Sequence, residues 1–279
     1  MLRLTARLFY VITTQDGTPL DADAEAGAIY SLDLATDALT RLPVHGLPSE
    51  LPFQPHGIFA SNVTQRLFAV SHGMGRGGSR VIIFDIMHNG SMSDASLSLR
   101  YIRSVTSPLM HNLGPNDVVE AGNNELLVSI YQGPVPLAGR HYSATWKERW
   151  GQLLAFTQPV FPTSFHAQST MLRCIWSSDN DVDVAKCTVA AADAGAYNGI
   201  AISADRRVVI AADTYGPGLF VYQRSVEGQL SKMQYVPLPY LPDNVQFDAA
   251  SGCATIGRLL LPPSTSRIAR STCGYQPHF

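Results

Sequence analysis

Between residues 199 and 238 the chain writes four short apolar runs separated by turn residues, and this spacing constrains the fold more than any other feature. Residues 199–203 lead into the turn 204–207, Val208–Asp213 into the loop 214–217, and residues 218–223 into the turn 225–229. Leu230–Pro237 closes the set. The runs are rich in Val, Ile and aromatic residues and are bounded by Gly, Pro, Asp and Ser, the pattern of strands joined by tight connections. Four such strands over roughly 40 residues make an antiparallel meander the size of one propeller blade.

The same order recurs upstream. Residues 57–60 are followed by a turn at 61–65, Arg66–Ser71, a Gly-rich loop at 72–78, a run at 80–86, a turn around 88–90 and a last run at 97–105. A third copy opens at Asp117, turns at 122–124 and continues through 125–131 and 152–157. A fourth begins at 244–247 and turns at 248–252. The opening runs 7–12, 28–34 and 38–42 read as a blade whose first strand is missing or shortened. Segment 138–150 reads as a short helix within a loop, and 158–183 as an insertion. Segment 181–194 suits a helix or, through Cys187-Thr188-Val189, a strand equally well. The expected fold is an all-β propeller of four-stranded blades, one domain over residues 1–256 with an irregular tail at 257–279.

Composition fits that fold and narrows the function. Hydrophobic residues make up 46% and charged residues 15%, so the chain can bury a sizeable core. The net charge of -2 and pI of 6.4 provide no basic field for nucleic acid. The apolar run 8–12 is too short to span a membrane and lacks a signal-peptide cleavage site, so it reads as a buried strand. The glycines at 73–78 precede a strand rather than a helix, which argues against a dinucleotide-binding oxidoreductase. Cys174, Cys187, Cys253 and Cys273 show no metal-type spacing. Cys174 and Cys187 could pair in an oxidising compartment, but free buried thiols are the expected reading. Asn62-Val63-Thr64 and Asn89-Gly90-Ser91 are glycosylation sequons, which matter only in a secreted chain.

The first strand of each propeller blade lines the central channel, so residues opening equivalent first strands gather on one face. Those residues are His56, Asn116-Asp117, Asn198 and Asp243-Asn244; His72, Tyr131 and Tyr215 open loops that return to the same face. Any one Asn or Asp here is an ordinary turn residue. As a set at one repeat position, two carboxylates and three amides supply the hard oxygen donors that calcium prefers, whereas zinc takes nitrogen and sulfur. His56 and His72, expected beside those donors, suit general-base activation of water. Tyr131, Tyr215 and Trp146 suit either a pocket wall or core packing.

Five segments in order resemble the paraoxonase/arylesterase family of six-bladed calcium propellers, allied to the gluconolactonase-like superfamily. They are Gln54-Pro-His-Gly-Ile58, Val70-Ser-His72, Asn112-Leu-Gly-Pro-Asn-Asp-Val118, residues 197–205 (Tyr-Asn-Gly-Ile-Ala-Ile-Ser-Ala-Asp) and Asp243-Asn-Val-Gln-Phe-Asp248. The resemblance covers roughly residues 7 to 252. It implies a catalytic calcium held by Asn116, Asn198, Asp243 and Asn244, and a structural calcium held by Asp117 and the carbonyl of Ile58. It also implies a His56/His72 dyad that activates water, and small-molecule lactones or aryl esters as substrates; it is compatible with an extracellular setting but leaves the compartment unassigned.

The family's upstream acidic pair has no match in residues 1–7, and its last blades have none in 257–279, so the expectation is a six-bladed type with first and last blades incomplete. The family's Asn-Asp-His stretch is replaced by Ser129-Ile-Tyr-Gln-Gly133. The rival expectation is a catalytically inactive propeller, stabilised by calcium and serving as a binding scaffold. A sugar-acid lactonase of the wider superfamily is a third.

Overall fold

The structure is a computed structural model that describes residues 7–12, 27–33, 36–51, 53–72, 78–89, 96–111, 114–132, 169–177, 184–248 and 253–258. These residues are almost entirely β, with a single helical turn, α1 (Pro108–His111). In chain order, β1 (Arg7–Ile12), β2 (Ala28–Asp33) and β3 (Leu39–Arg41) form a three-stranded sheet. Next, β4 (Val44–His45) lies parallel on the outer edge of a meander made by β5 (Pro55–Ser61), β6 (Arg66–Ser71), β7 (Arg80–Asn89) and β8 (Ser96–Val105).

A third sheet comprises β9 (Gly114–Gly122), β10 (Glu125–Gln132), β11 (Thr170–Ile175) and β12 (Lys186–Ala191). A fourth comprises β13 (Tyr197–Ile202), β14 (Val208–Asp213), β15 (Gly218–Arg224) and β16 (Leu230–Pro237). The last described pair is β17 (Pro242–Asp248) and β18 (Cys253–Arg258). The strands β1, β5, β9, β13 and β17 lie side by side in that order, the inner strands of five sheets laid like propeller blades.

Four sequence expectations are corrected. The third strand of the blade opened by β9 is β11, inside the segment read as an insertion; 152–157 and the helix expected at 138–150 lie outside the described residues. Strand pairing with β10 decides this, because Leu172 and Cys174 bury against Val128 and Leu126 in a way their short apolar run did not announce. The opening blade does not lack its first strand, since β1 pairs with β2 and lies beside β5. The boundary at 256/257 falls inside β18, whose Arg258 is paired with Pro242. Finally, Cys174 and Cys187 form a disulfide rather than free thiols, because β11 and β12 set them directly opposite one another.

Between the blades lies the core. Successive side chains of a strand point to opposite faces of its sheet. Phe68 and Val70 of β6 therefore pack toward Val118, Val128 and Ile130 of the following blade, while Leu67 and Ala69 pack toward Ile29 and Leu42 of the preceding one. A third apolar layer joins Val119 and Leu127 to Tyr197, Val209 and Phe220, and a fourth joins Ile210 and Val221 to Val245. Burial on both faces explains why β6 and β14 read as unbroken apolar runs.

Charge ties the blades at the end of the inner strands away from the histidines. Glu120 of β9 accepts from Ser61 Oγ of the preceding blade at 2.6 Å and from Arg206 Nη2 of the following one at 3.2 Å. Glu125 accepts from Arg173 Nε at 2.8 Å within its sheet and from Arg224 Nη2 of the next blade at 2.7 Å. Burial pushes the Glu125 carboxyl upward, but hydrogen bonds from Arg173 and Arg224 outweigh it and hold the group below its ordinary value.

Two tests follow from this packing. A Cβ at Gly199 would come within 2.4 Å of the Val245 nitrogen and 2.5 Å of the Asn244 Cα, whereas one at Gly114 would meet nothing within 4 Å. Gly199→Ala is expected to cost about 3 kcal/mol in denaturant unfolding and Gly114→Ala much less. Glu125→Gln is expected to cost about 2 kcal/mol at neutral pH, since two arginines lose a charged acceptor. A depressed carboxylate stabilises fully above the unfolded value of 4.5 and loses that contribution as pH falls through its lower folded value. The difference between wild type and variant should therefore shrink in unfolding curves collected below that pH.

Candidate active site

Every inner strand after β1 carries the same irregularity near its start. Pro55 and Ile58 are paired with Ser71 and Ala69, so His56 and Gly57 together oppose Val70 alone. The same two-against-one count places Asn116-Asp117 opposite Ser129, Asn198-Gly199 opposite Ala212, and Asp243-Asn244 opposite Gly257. These are β-bulges, which insert a residue, bend the strand and re-aim side chains. The candidate residues thus sit within the inner strands rather than ahead of them, four bulges at one level of four adjacent strands.

The bulges require close approach. A Cβ on Gly57 would fall 2.2 Å from the Asn116 carbonyl oxygen and 2.7 Å from Asp117 Oδ1. Only glycine lets the first bulge abut the second, and Gly199 does the same for the fourth strand's Asn244. Asp117 makes the link between the second and third. Its Oδ1 accepts the Val118 N–H at 2.9 Å and its Oδ2 accepts the Ile200 N–H of the next blade at 3.0 Å. Ser129 Oγ accepts the Asp117 N–H at 2.9 Å.

His56 and His72 meet edge to face, with ring centroids 5.0 Å apart. Asn116 Nδ2 lies 3.2 Å from His56 Nε2, and the backbone N–H of His72 donates to the Gln54 carbonyl at 3.0 Å. Burial lowers the pKa of His56. Burial and then the charge of His56 bring His72 to about 3, so both rings are neutral at physiological pH. Among the described residues His72 Nδ1 is buried without a hydrogen-bond partner.

The oxygen donors divide by burial. Asn198 is 4% exposed; its Nδ2 donates to Thr214 Oγ1 at 3.1 Å, and Thr214 Oγ1 donates to the Pro242 carbonyl at 2.7 Å. Asn198 Oδ1 is buried and has no hydrogen-bond partner among the described residues. Burial raises Asp117 to about 7 against the pull of the Ile200 and Val118 N–H groups, and the charge of Asp243 raises it further. Burial also raises Asp243, with a hydrogen bond from Asn198 opposing it. Asn116 and Asp243 are half-buried and Asn244 is exposed, while Ile58 follows the first bulge and packs against the core layer between the first two sheets.

An orphaned buried carbonyl and two carboxylates close enough to perturb one another form a donor set that a hard cation would satisfy. Among the described residues there is no group of three or more His, Cys, Asp and Glu side chains for a metal; the set here consists mainly of amides. Sequence reading missed Thr214 and Ser129, which hold Asn198 and Asp117. The glycines after His56 and Asn198 were the available signal, since glycine inside a strand marks a bulge or close backbone approach. Tyr131 and Tyr215 do come together across two blades, at 5.6 Å between centroids. Trp146 lies outside the described residues.

No family model matches this chain, and no curated protein sequence does. Solved structures do resemble it. A gluconolactonase from Xanthomonas campestris shows 16% identity over 83% of this chain and 62% of its own, with a TM-score of 0.46. A luciferin-regenerating enzyme shows 14% identity over 91% of this chain and 66% of its own, with a TM-score of 0.48. A chain of a nidogen/laminin complex shows 10% identity over 83% and 64%, with a TM-score of 0.45. The chain thus spans less than two thirds of the length of each of these proteins.

The hydroxyl of fully buried Thr214 gives the site a direct test. Thr214→Val keeps the shape but strands the Asn198 amide and the Pro242 carbonyl, and is expected to cost about 2 kcal/mol in denaturant unfolding. Thr214→Ser should retain most of the stability.

Proposed function

We propose that the chain is a calcium-dependent hydrolase of lactones or aryl esters, working at the bulged inner strands of a propeller of the six-bladed type. The observation that carries this reading is a pair of neutral imidazoles with centroids 5.0 Å apart, on the same level of bulges as the buried Asn198 amide oxygen, which has no hydrogen-bond partner among the described residues. A neutral imidazole with an available lone pair can take a proton from water at physiological pH. His56 is the base in this reading, because His72, at about 3, holds a proton too weakly for the task. His72 packs against His56 and fixes the plane of its ring.

Asn116, Asn198, Asp243 and Asn244 would hold the catalytic calcium, and Asp117 with the Ile58 carbonyl a structural one. A calcium ion held there supplies polarisation of the scissile carbonyl and compensation for its developing negative charge. Asn116 sits between the two functions: its Nδ2 faces His56, leaving Oδ1 for the cation. Thr214 orients Asn198 in the same way, taking the Nδ2 donor and freeing Oδ1. Tyr131, near the end of β10, and Tyr215, in the turn between β14 and β15, pack against one another and would form an aromatic flank for an acyl or aryl group.

Purified chain supplied with calcium should hydrolyse an aryl acetate or a γ- or δ-lactone, and a chelator should stop it. His56→Gln should lower kcat about 100-fold or more without changing the calcium-induced rise in melting temperature. Asn198→Ala should reduce that rise as well. Calcium binding with no turnover across the substrate panel would assign the site to stability alone.

A further inference from the structure

We propose that Asn62 is a site of N-glycosylation and that the chain matures in an oxidising, secretory-type compartment. Two independent observations meet here. The sequon Asn62-Val63-Thr64 forms the tip of the β5–β6 hairpin, where Asn62 is exposed and Val63 is 76% exposed. Cys174 and Cys187 are joined, Cys253 is also disulfide-bonded, and no described cysteine is a free thiol. Stable disulfides belong to oxidising compartments, and an Asn-X-Thr sequon on a surface loop becomes an acceptor there.

The hairpin presents the amide well. Ser61 Oγ accepts the N–H groups of Val63 at 3.3 Å and Thr64 at 3.2 Å, and donates to Glu120 of the next blade at 2.6 Å. Gln65 closes the turn on the Ser61 carbonyl at 3.0 Å, and its Nε2 donates to the Asn62 carbonyl at 2.9 Å. The backbone is therefore fixed while the Asn62 side chain remains exposed to solvent. The hairpin tip is also remote from the histidines. Along β5 (Pro55–Ser61), His56 lies near one end and Ser61 at the other, separated by about 16 Å of extended chain. A bulky glycan there leaves the His56 face open and covers the exposed Val63.

The co-reactant is a lipid-pyrophosphate-linked oligosaccharide. The Asn62 Nδ2 forms a bond to the anomeric carbon, the bond from that carbon to the pyrophosphate oxygen breaks, and the lipid pyrophosphate leaves with the electron pair. One amide proton is released to the transferase's base.

The natural protein, isolated from the cells that make it, can be digested with trypsin after treatment with a peptide N-glycosidase. Cleavage after Arg41, Arg66, Arg80 and Arg100 separates the two sequons onto peptides 42–66 and 81–100. Peptide 42–66 should carry aspartate at position 62 only after glycosidase treatment, and Asn62→Gln or Thr64→Ala in the full chain should abolish the shift while Asn89→Gln leaves it. Full recovery of unmodified peptide 42–66, a modification confined to peptide 81–100, or a Cys174–Cys187 pair found reduced would each overturn the proposal.

Discussion

The close contact of inner strands at their bulges is the constraint on which the rest of the structure depends. Gly57 abuts the Asn116 carbonyl and Gly199 the backbone of Asn244, at separations no side chain would tolerate. Between those contacts Asp117 accepts backbone N–H groups from its own strand and from β13. This arrangement draws polar side chains from four blades to one level near the axis. It also desolvates them, which raises Asp117 and Asp243 and lowers both histidines. The chemistry and the packing therefore share one cause: strands pressed together tightly enough to exclude water around groups that would otherwise hydrate.

The two ends of the inner strands are built for different tasks. At the Glu120 end, ion pairs and hydrogen bonds satisfy the buried charge from within the protein, through Ser61 and Arg206, and nearby Glu125 is matched by Arg173 and Arg224. At the His56 end the balance is left open, with Asn198 Oδ1 and His72 Nδ1 buried and without partners among the described residues. Buried polar groups are normally paired because leaving them unpaired costs free energy. In the proposed reading, this end, with such groups beside two carboxylates, is the one that a cation and a substrate would occupy. Four apolar layers between the blades hold both ends in place.

Much of this was legible in the sequence. Val208–Asp213, Leu230–Pro237 and Arg66–Ser71 are strands at the residues where apolar runs bounded by turn residues placed them. The repeat was readable because each blade must bury both faces, which writes continuous apolar runs at a fixed interval. Reading failed where pairing, not local pattern, decides. Thr170–Ile175 is a strand because β10 and β12 flank it, although the preceding segment hid its place in the repeat. Cys174 and Cys187 are bonded because strand register sets them opposite, a relation that spacing alone did not reveal.

The sequence by itself determined the residue types at the site: His, Asn and Asp recur before β-branched residues at one position of successive repeats, as a strand-opening motif would dictate. The tertiary structure decided that those residues sit in bulges, which side chains touch, and which atoms are left without partners. The physical reason is that a bulge is a relation between two strands and an orphaned atom a relation among several blades. Neither has a period along the chain from which it could be read.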